Sequence, residues 1–105
     1  MYELLFVELA SQELAQEAKY SARQWGQQHA KKYFQELKQR IVDLTSNQKQ
    51  HRLYQDVLPG LRIMRFKGSQ VFYVIDEDNK RVIVLAVLSI YRQLSESQLS
   101  ERLNH

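Results

Sequence analysis

The sequence of 105 residues contains no cysteine, one proline and only three glycines. The lack of cysteine excludes disulfides and thiolate metal sites and fits a reducing, cytoplasmic setting. Three glycines are too few for a glycine-rich phosphate-binding loop. No apolar run approaches the roughly 18 residues that a membrane span needs, and the first eight residues hold two glutamates and no base, unlike a signal peptide. With a length that suits one folding unit, the sequence predicts a single cytoplasmic domain over residues 1–105 that does not enter a membrane.

Metal and acid–base constellations are also missing. The three histidines, His29, His51 and His105, are scattered, and none has a partner at a spacing typical of metal ligands. Paired carboxylates occur only at Asp76–Asp78, where solvation of a hairpin loop explains them. The sequence therefore predicts no metal site and no cofactor.

Residues 58–92 carry the strongest pattern and predict a three-stranded antiparallel meander. Apolar runs at 61–66, 71–75 and 82–88 are separated by two short polar turns, Lys67–Ser69 and Asp76–Lys80. Residues 2–8 are apolar enough for a further strand at the sheet edge. The expected fold class is α+β, with a four-stranded sheet in all.

The segment before the meander predicts a helical hairpin. Ser11 is a candidate N-cap for a helix over 11–25, and Gly26 suits a left-handed C-terminal residue. A second helix begins near Gln27, with Ala30, Phe34, Leu37, Ile41 and Leu44 at a spacing of three or four. A short C-terminal helix is predicted from Ser95, because Gln98 three residues later completes a capping box.

The second and third meander strands are apolar on both faces, which predicts that both are covered. The helical hairpin covers one face. The tail is too short to cover the other completely, so we expect an exposed apolar groove that a partner fills.

Positive charge concentrates in the middle of the chain. Residues 19–67 hold eleven Lys or Arg and three acidic residues, within a net charge of +3. A cluster of cations and tyrosines lies on or beside the meander, formed by Arg62, Arg65, Lys67, Tyr73, Tyr91 and Arg92. Such a cluster holds a phosphodiester, pairs with an acidic partner protein, or keeps strand edges soluble. The residues alone leave these three interpretations open.

Several strings resemble the RelE/ParE superfamily of toxins from bacterial toxin–antitoxin pairs. The segment Tyr20–Leu37, with its Trp25-Gly26 pair, resembles the ParE helical hairpin. Pro59-Gly60-Leu61-Arg62 resembles the ParE segment that leads into the sheet, and Val71–Asp76 and Val82–Leu88 resemble its later strands. The likeness covers nearly the whole chain and is strongest to the ParE-type, plasmid-stabilisation toxins.

The resemblance implies a toxin of a type II toxin–antitoxin system that inhibits DNA gyrase without being an enzyme. A cognate antitoxin would neutralise it in a hetero-oligomer. The residues expected to contact partners are Trp25, Lys31, Lys38, Arg62, Arg65, Tyr73, Tyr91 and Arg92.

Two alternatives follow from the same resemblance. RelE-like members are ribosome-dependent mRNA endonucleases, and the matching catalytic candidates here are Arg62, Arg65, Lys67, Tyr91 and Arg92. Gln70 stands where those enzymes place an Arg, which favours the ParE type. Ser89 stands where ParE-type toxins commonly have a His, which suggests a degenerate, non-toxic module that only binds an antitoxin.

Overall fold

The computed structural model describes residues 2–104. The elements in chain order are β1 (Glu3–Phe6), α1 (Glu8–Trp25), α2 (Gln27–Asp43), β2 (Arg62–Phe66), β3 (Ser69–Asp76), β4 (Arg81–Ser89) and α3 (Glu96–Leu103). They form one four-stranded sheet in the order β1-β4-β3-β2. The antiparallel meander is confirmed, and β1 lies at the edge as expected, parallel to β4, so the sheet is mixed.

Helix α1 begins earlier than the sequence predicts. Val7 precedes the first helical residue and makes no side-chain capping bond, so the assignment of Ser11 as N-cap is wrong. Glu8 lies in the first turn, where its charge complements the helix dipole. Gly26 alone connects α1 to α2 and has φ +88° and ψ 161°, an extended conformation nearly restricted to glycine and not the expected left-handed helical one.

The helical hairpin covers one face of the sheet. Leu37, Ile41 and Leu44 of the predicted seam are fully buried. They form a core with Ala10 of α1 and with the strand residues that face the helices, Met64, Phe66, Val71, Tyr73, Val82, Val84 and Val87.

A β-bulge in β4 determines which side chains face which core. Phe72 is opposite Ala86 and Tyr73 is opposite Val84, so Leu85 is an extra residue. Leu85 and Ala86 consequently both point to the second core, although neighbouring strand residues normally alternate. A bulge of this kind interrupts the hydrogen-bond ladder between β3 and β4 locally.

The second face of the sheet is not an open groove, and that expectation is wrong. Leu58 and Leu61 from the long connection after α2 are buried against it, and Leu99 of α3 is fully buried there. Ser95 caps α3 in the predicted capping box with Gln98. The connection, which has little regular structure, therefore completes what the short tail leaves uncovered.

Candidate functional site

A groove of about 690 Å³ lies on the helix side of the sheet, at the end where β2 turns into β3. Helices α1 and α2 form one wall, and the β2–β3 turn with the end of β4 forms the other. Its aromatic residues are Tyr20, Trp25, His29, Tyr33 and Tyr91. Three of these rings are strongly exposed, Tyr20 at 60%, Trp25 at 66% and Tyr91 at 91%. Exposed aromatic area on this scale is typical of a surface that contacts a partner.

A polar network lies at the floor of the groove. The Ser69 hydroxyl donates to Glu17 Oε2 at 3.1 Å, and Ser69 itself is 1% exposed. Because its only proton goes to Glu17, Ser69 Oγ accepts from the Tyr33 hydroxyl. Three elements, α1, α2 and β3, thus meet in one hydrogen-bonded chain.

Burial changes the acid–base properties of this network. Desolvation raises the pKa of Glu17 above its ordinary value, despite the Ser69 hydrogen bond and the nearby Arg92 that act in the opposite direction. Desolvation likewise raises the pKa of Tyr33. The floor of the groove therefore holds a carboxylate that is destabilised in its charged form.

The predicted cation cluster does not assemble at one place. Lys67 lines the groove, where its Nζ lies 3.2 Å from Glu36 Oε2. Arg62 donates to the backbone carbonyl of His51 at 2.7 Å and so anchors the long connection. Arg65 lies beside Tyr54, with its guanidinium 5.8 Å from the ring centre, on the face of the second core.

Tyr73 is fully buried, so the expectation that it contacts a partner is wrong. Its hydroxyl donates to the Gln48 carbonyl at 2.8 Å, and burial raises the pKa of Tyr73 to about 12. The Tyr73 ring is part of the first core, and its hydroxyl group holds the connection after α2 in place by this hydrogen bond.

Gln70 has a structural role in this chain. Its amide is buried at 3% exposure and donates to the carbonyls of Ser89 and Arg92 at 3.0 and 2.6 Å. These bonds hold the turn that follows β4 and leave the Tyr91 and Arg92 side chains exposed. Ser89 pairs with Ser69 across the sheet and lines the groove.

The remaining predicted contact residues lie on the helices. Trp25 is at the rim of the groove, with its ring 6.0 Å from that of His29. Lys31 and Lys38 are exposed on α2 and do not line the groove.

A second polar site lies one helical turn from Glu17. Arg102 of α3 pairs with both carboxylate oxygens of Glu13, at 2.8 and 3.0 Å. Glu13 also accepts from the Val87 amide at 3.1 Å, and Arg102 donates to the Leu85 carbonyl at 2.9 Å. The ion pair thus satisfies backbone groups at the bulge and joins α1, β4 and α3.

Within residues 2–104, no group of three His, Asp or Glu side chains could hold a metal ion. No helix in that range is both long and apolar enough to cross a bilayer. His105, one of the three histidines considered above, lies outside the described residues.

Sequence reasoning missed the floor of the groove and the Glu13–Arg102 pair. A signal existed, because Ala10, Glu13, Glu17 and Ser21 recur at three or four residues along the inward side of α1. Carboxylates at the spacing of a buried stripe need partners from elsewhere in the chain. The sequence did not indicate which partners these are.

Solved structures share this fold. The chain matches a chain of the chromosomal ParDE toxin–antitoxin system from P. aeruginosa with a TM-score of 0.71 and 18% identity, over 86% of this chain and 97% of that one. It matches the toxin–antitoxin complex RelBE2 from Mycobacterium tuberculosis with a TM-score of 0.65 and 17% identity, over 84% and 96%. The isolated E. coli RelE toxin gives a TM-score of 0.61 at 20% identity, over 98% and 99%. At these identities the likeness concerns the fold.

The solved structures that share this fold come from ParDE and RelBE toxin–antitoxin systems. The model of one family, the ParE toxins of type II toxin–antitoxin systems, matches residues 4–93. The chain belongs to that family. No curated protein matches it significantly.

Proposed function

We propose that this protein arrests bacterial growth by inhibiting DNA gyrase and that a cognate antitoxin protein neutralises it by forming a hetero-oligomer. The observation that carries the proposal is the ParE family match over residues 4–93. The dispersal of the cations supports it, because Arg62 is hydrogen-bonded to the backbone of the long connection and Arg65 faces the second core. Stabilisation of charge at a phosphodiester needs donors that converge on one point.

The test uses purified chain in supercoiling and cleavage assays with bacterial gyrase. We expect loss of supercoiling at micromolar protein, or a trapped cleavage complex, and reversal when the antitoxin is added. The candidate antitoxin is the product of a small neighbouring reading frame with a DNA-binding N-terminus. Unchanged supercoiling together with no trapped complex would overturn the proposal.

Ribosome-dependent mRNA cleavage is the second candidate. The observation that favours it is that Lys67 and Tyr91 line the same groove as Glu17, whose raised pKa suits it to proton transfer. Primer extension on translated mRNA tests this candidate. Arg92→Ala removes the arginine whose charge acts on Glu17, and Arg65→Ala is the matched variant on the other face of the sheet. Cleavage that Arg92→Ala abolishes and Arg65→Ala leaves intact would support this candidate.

A degenerate module that only binds an antitoxin is the third candidate, favoured by Ser89. Expression of the chain alone in a bacterial host separates it from the other two. Strong growth arrest excludes a non-toxic module, whereas normal growth excludes both toxic functions.

A further inference from the structure

The groove has an unusual combination of chemistry. Exposed aromatic rings form its rim, and Glu17 is the only carboxylate among the described residues that line it. The four ion pairs found within residues 2–104 do not include Glu17. Its one hydrogen bond from a side chain comes from the neutral Ser69 hydroxyl.

Among the described residues, the cations in and around the groove form no ion pair with this carboxylate. The Lys67 ammonium lies 3.2 Å from the carboxylate of Glu36 and pairs with it instead. Glu13 is paired with Arg102, and its negative charge further raises the pKa of Glu17. Arg92 is exposed and influences Glu17 only by electrostatic attraction, without a hydrogen bond or an ion pair to it. A half-buried carboxylate in this situation gains free energy from an incoming cation.

The aromatic rim favours the same ligand. Tyr and Trp rings attract a guanidinium or ammonium group through their negatively charged faces, and Trp does so best. Tyr20, Trp25 and Tyr91 line the same groove as Glu17 and are strongly exposed, so their rings are accessible to a cation that enters it. A phosphate would instead meet the carboxylate at the floor, which opposes a nucleic acid as occupant. The groove, at about 690 Å³, is also larger than one side chain, so it has room for a peptide segment.

We propose that the groove binds an arginine or lysine side chain that a segment of a partner protein presents to Glu17 between the exposed aromatic rings. The identity of that partner as the antitoxin rests on the proposed function. The cation preference of the groove is a property of this chain alone and is tested without the partner.

Trp25 provides the measurement, because it is the single tryptophan of the chain and lies at the rim. The isolated protein is titrated with N-acetyl-arginine methylamide and with N-acetyl-citrulline methylamide, which has nearly the same shape and no charge. We expect a saturable change in Trp25 fluorescence with the arginine probe and binding about tenfold weaker with citrulline. Equal binding of the two probes, or binding of neither, would overturn the proposal.

Glu17→Gln is the decisive variant, since its amide oxygen can still accept from Ser69. We expect it to abolish the preference for arginine over citrulline, with thermal unfolding used to show that it remains folded. Glu101→Gln, which removes an exposed carboxylate from α3, is the matched control and should leave the preference unchanged. If Glu17→Gln binds arginine as well as the parent, Glu17 is not the receptor group and the proposal fails.

Two further measurements test the position of the bound cation and the preference for a cation over a nucleotide. Arg92→Gln removes a competing positive charge, so we expect it to bind the arginine probe more tightly, and weaker binding would contradict the proposed geometry. Adenosine monophosphate is the nucleotide probe, and tighter binding of it than of the arginine probe would replace the proposal by a nucleotide site. Arginine binding without any gyrase inhibition would leave the groove chemistry intact and refute only the proposed toxin target.

Discussion

Two carboxylates one turn apart on α1 have opposite surroundings. Glu13 accepts hydrogen bonds from both terminal guanidinium nitrogens of Arg102 and from the Val87 amide next to the bulge. The side chains of Glu13 and Arg102 are only 16% and 12% exposed. Glu17 has a hydroxyl as its partner and forms no ion pair with any of the residues that the structure describes. The first site joins three elements into a closed arrangement, and the second lies at the floor of an open groove. The difference indicates that Glu13 serves the fold and that Glu17 is available for a ligand.

The contrast has a simple physical basis. A buried charge needs compensation, and α3 brings Arg102 to Glu13, whereas the element opposite Glu17 is the short β2–β3 turn. Lys67 in that turn has φ +53°, a conformation rare for residues other than glycine, and its ammonium is directed to Glu36. Within residues 2–104, the second carboxylate is thus left without a paired cation.

Breaking the closed site, the Glu13–Arg102 ion pair, should give the largest loss of stability. Arg102→Ala leaves Glu13 and the Leu85 carbonyl without their partner, and we expect a loss of about 3 kcal/mol in the free energy of unfolding. Urea denaturation measures it, with Lys19→Ala on the exposed side of α1 as a control expected to stay within about 0.5 kcal/mol. A loss below about 1 kcal/mol would show that α3 is held by Leu99 and not by the ion pair.

Glu13→Gln tests the same site more gently. The glutamine keeps an acceptor for Arg102 and for the Val87 amide but removes the charge, so we expect a loss of about 1–2 kcal/mol. The measurement is again urea denaturation at neutral pH. An unchanged midpoint would mean that the negative charge at this position contributes nothing to the fold.

The same substitution at Glu17 should have the opposite sign. Since burial raises its pKa, the folded state binds a proton more tightly than the unfolded state, and stability falls as pH rises from the unfolded value near 4.5 through the folded pKa. Glu17→Gln should therefore stabilise by a few tenths of a kcal/mol at pH 7. The gain should vanish below about pH 4. Melting temperatures of the two proteins across this range provide the check, and a gain that is independent of pH would contradict the assigned cause.

An exposed ion pair supplies the smallest expected effect. Lys67 and Glu36 have side chains that are 59% and 38% exposed, so Glu36→Gln should change stability by less than about 0.5 kcal/mol. Salt titration of the parent and the variant measures this contribution. A loss as large as that of Glu13→Gln would remove the distinction between the closed and the open site.

The sequence predicted the elements better than their contacts. Periodicity located α2 and the meander, and the Ser95–Gln98 capping box located α3, because these signals are local. It failed at the start of α1, where a side-chain cap was expected and the structure uses none. It also failed at the second face of the sheet, which the long connection covers with Leu58 and Leu61.

The candidate site was harder to predict. Lys67 and Tyr91 were selected by residue type, as members of the cluster of cations and tyrosines, and Trp25 was selected from the family resemblance. All three line the groove. Tyr73 was selected as a member of the same cluster and is buried, because its position on β3 directs it to the helices. Residue type indicates what a side chain can do. Whether the side chain reaches the surface depends on which face of the sheet its position in the strand points to.

By itself, the sequence determined the family, the order of helices and strands, and the apolar stripes that form the two cores. The tertiary structure alone decided that Leu85 forms a bulge in β4. It also decided that Arg102 pairs with Glu13, 89 positions earlier in the sequence, and that Glu17 accepts a hydrogen bond from Ser69, 52 positions later. The physical reason is that helix and strand patterns repeat within a few residues. The pairing of a buried charge depends instead on which distant element packs beside it, and that is what distinguishes the two glutamates of α1.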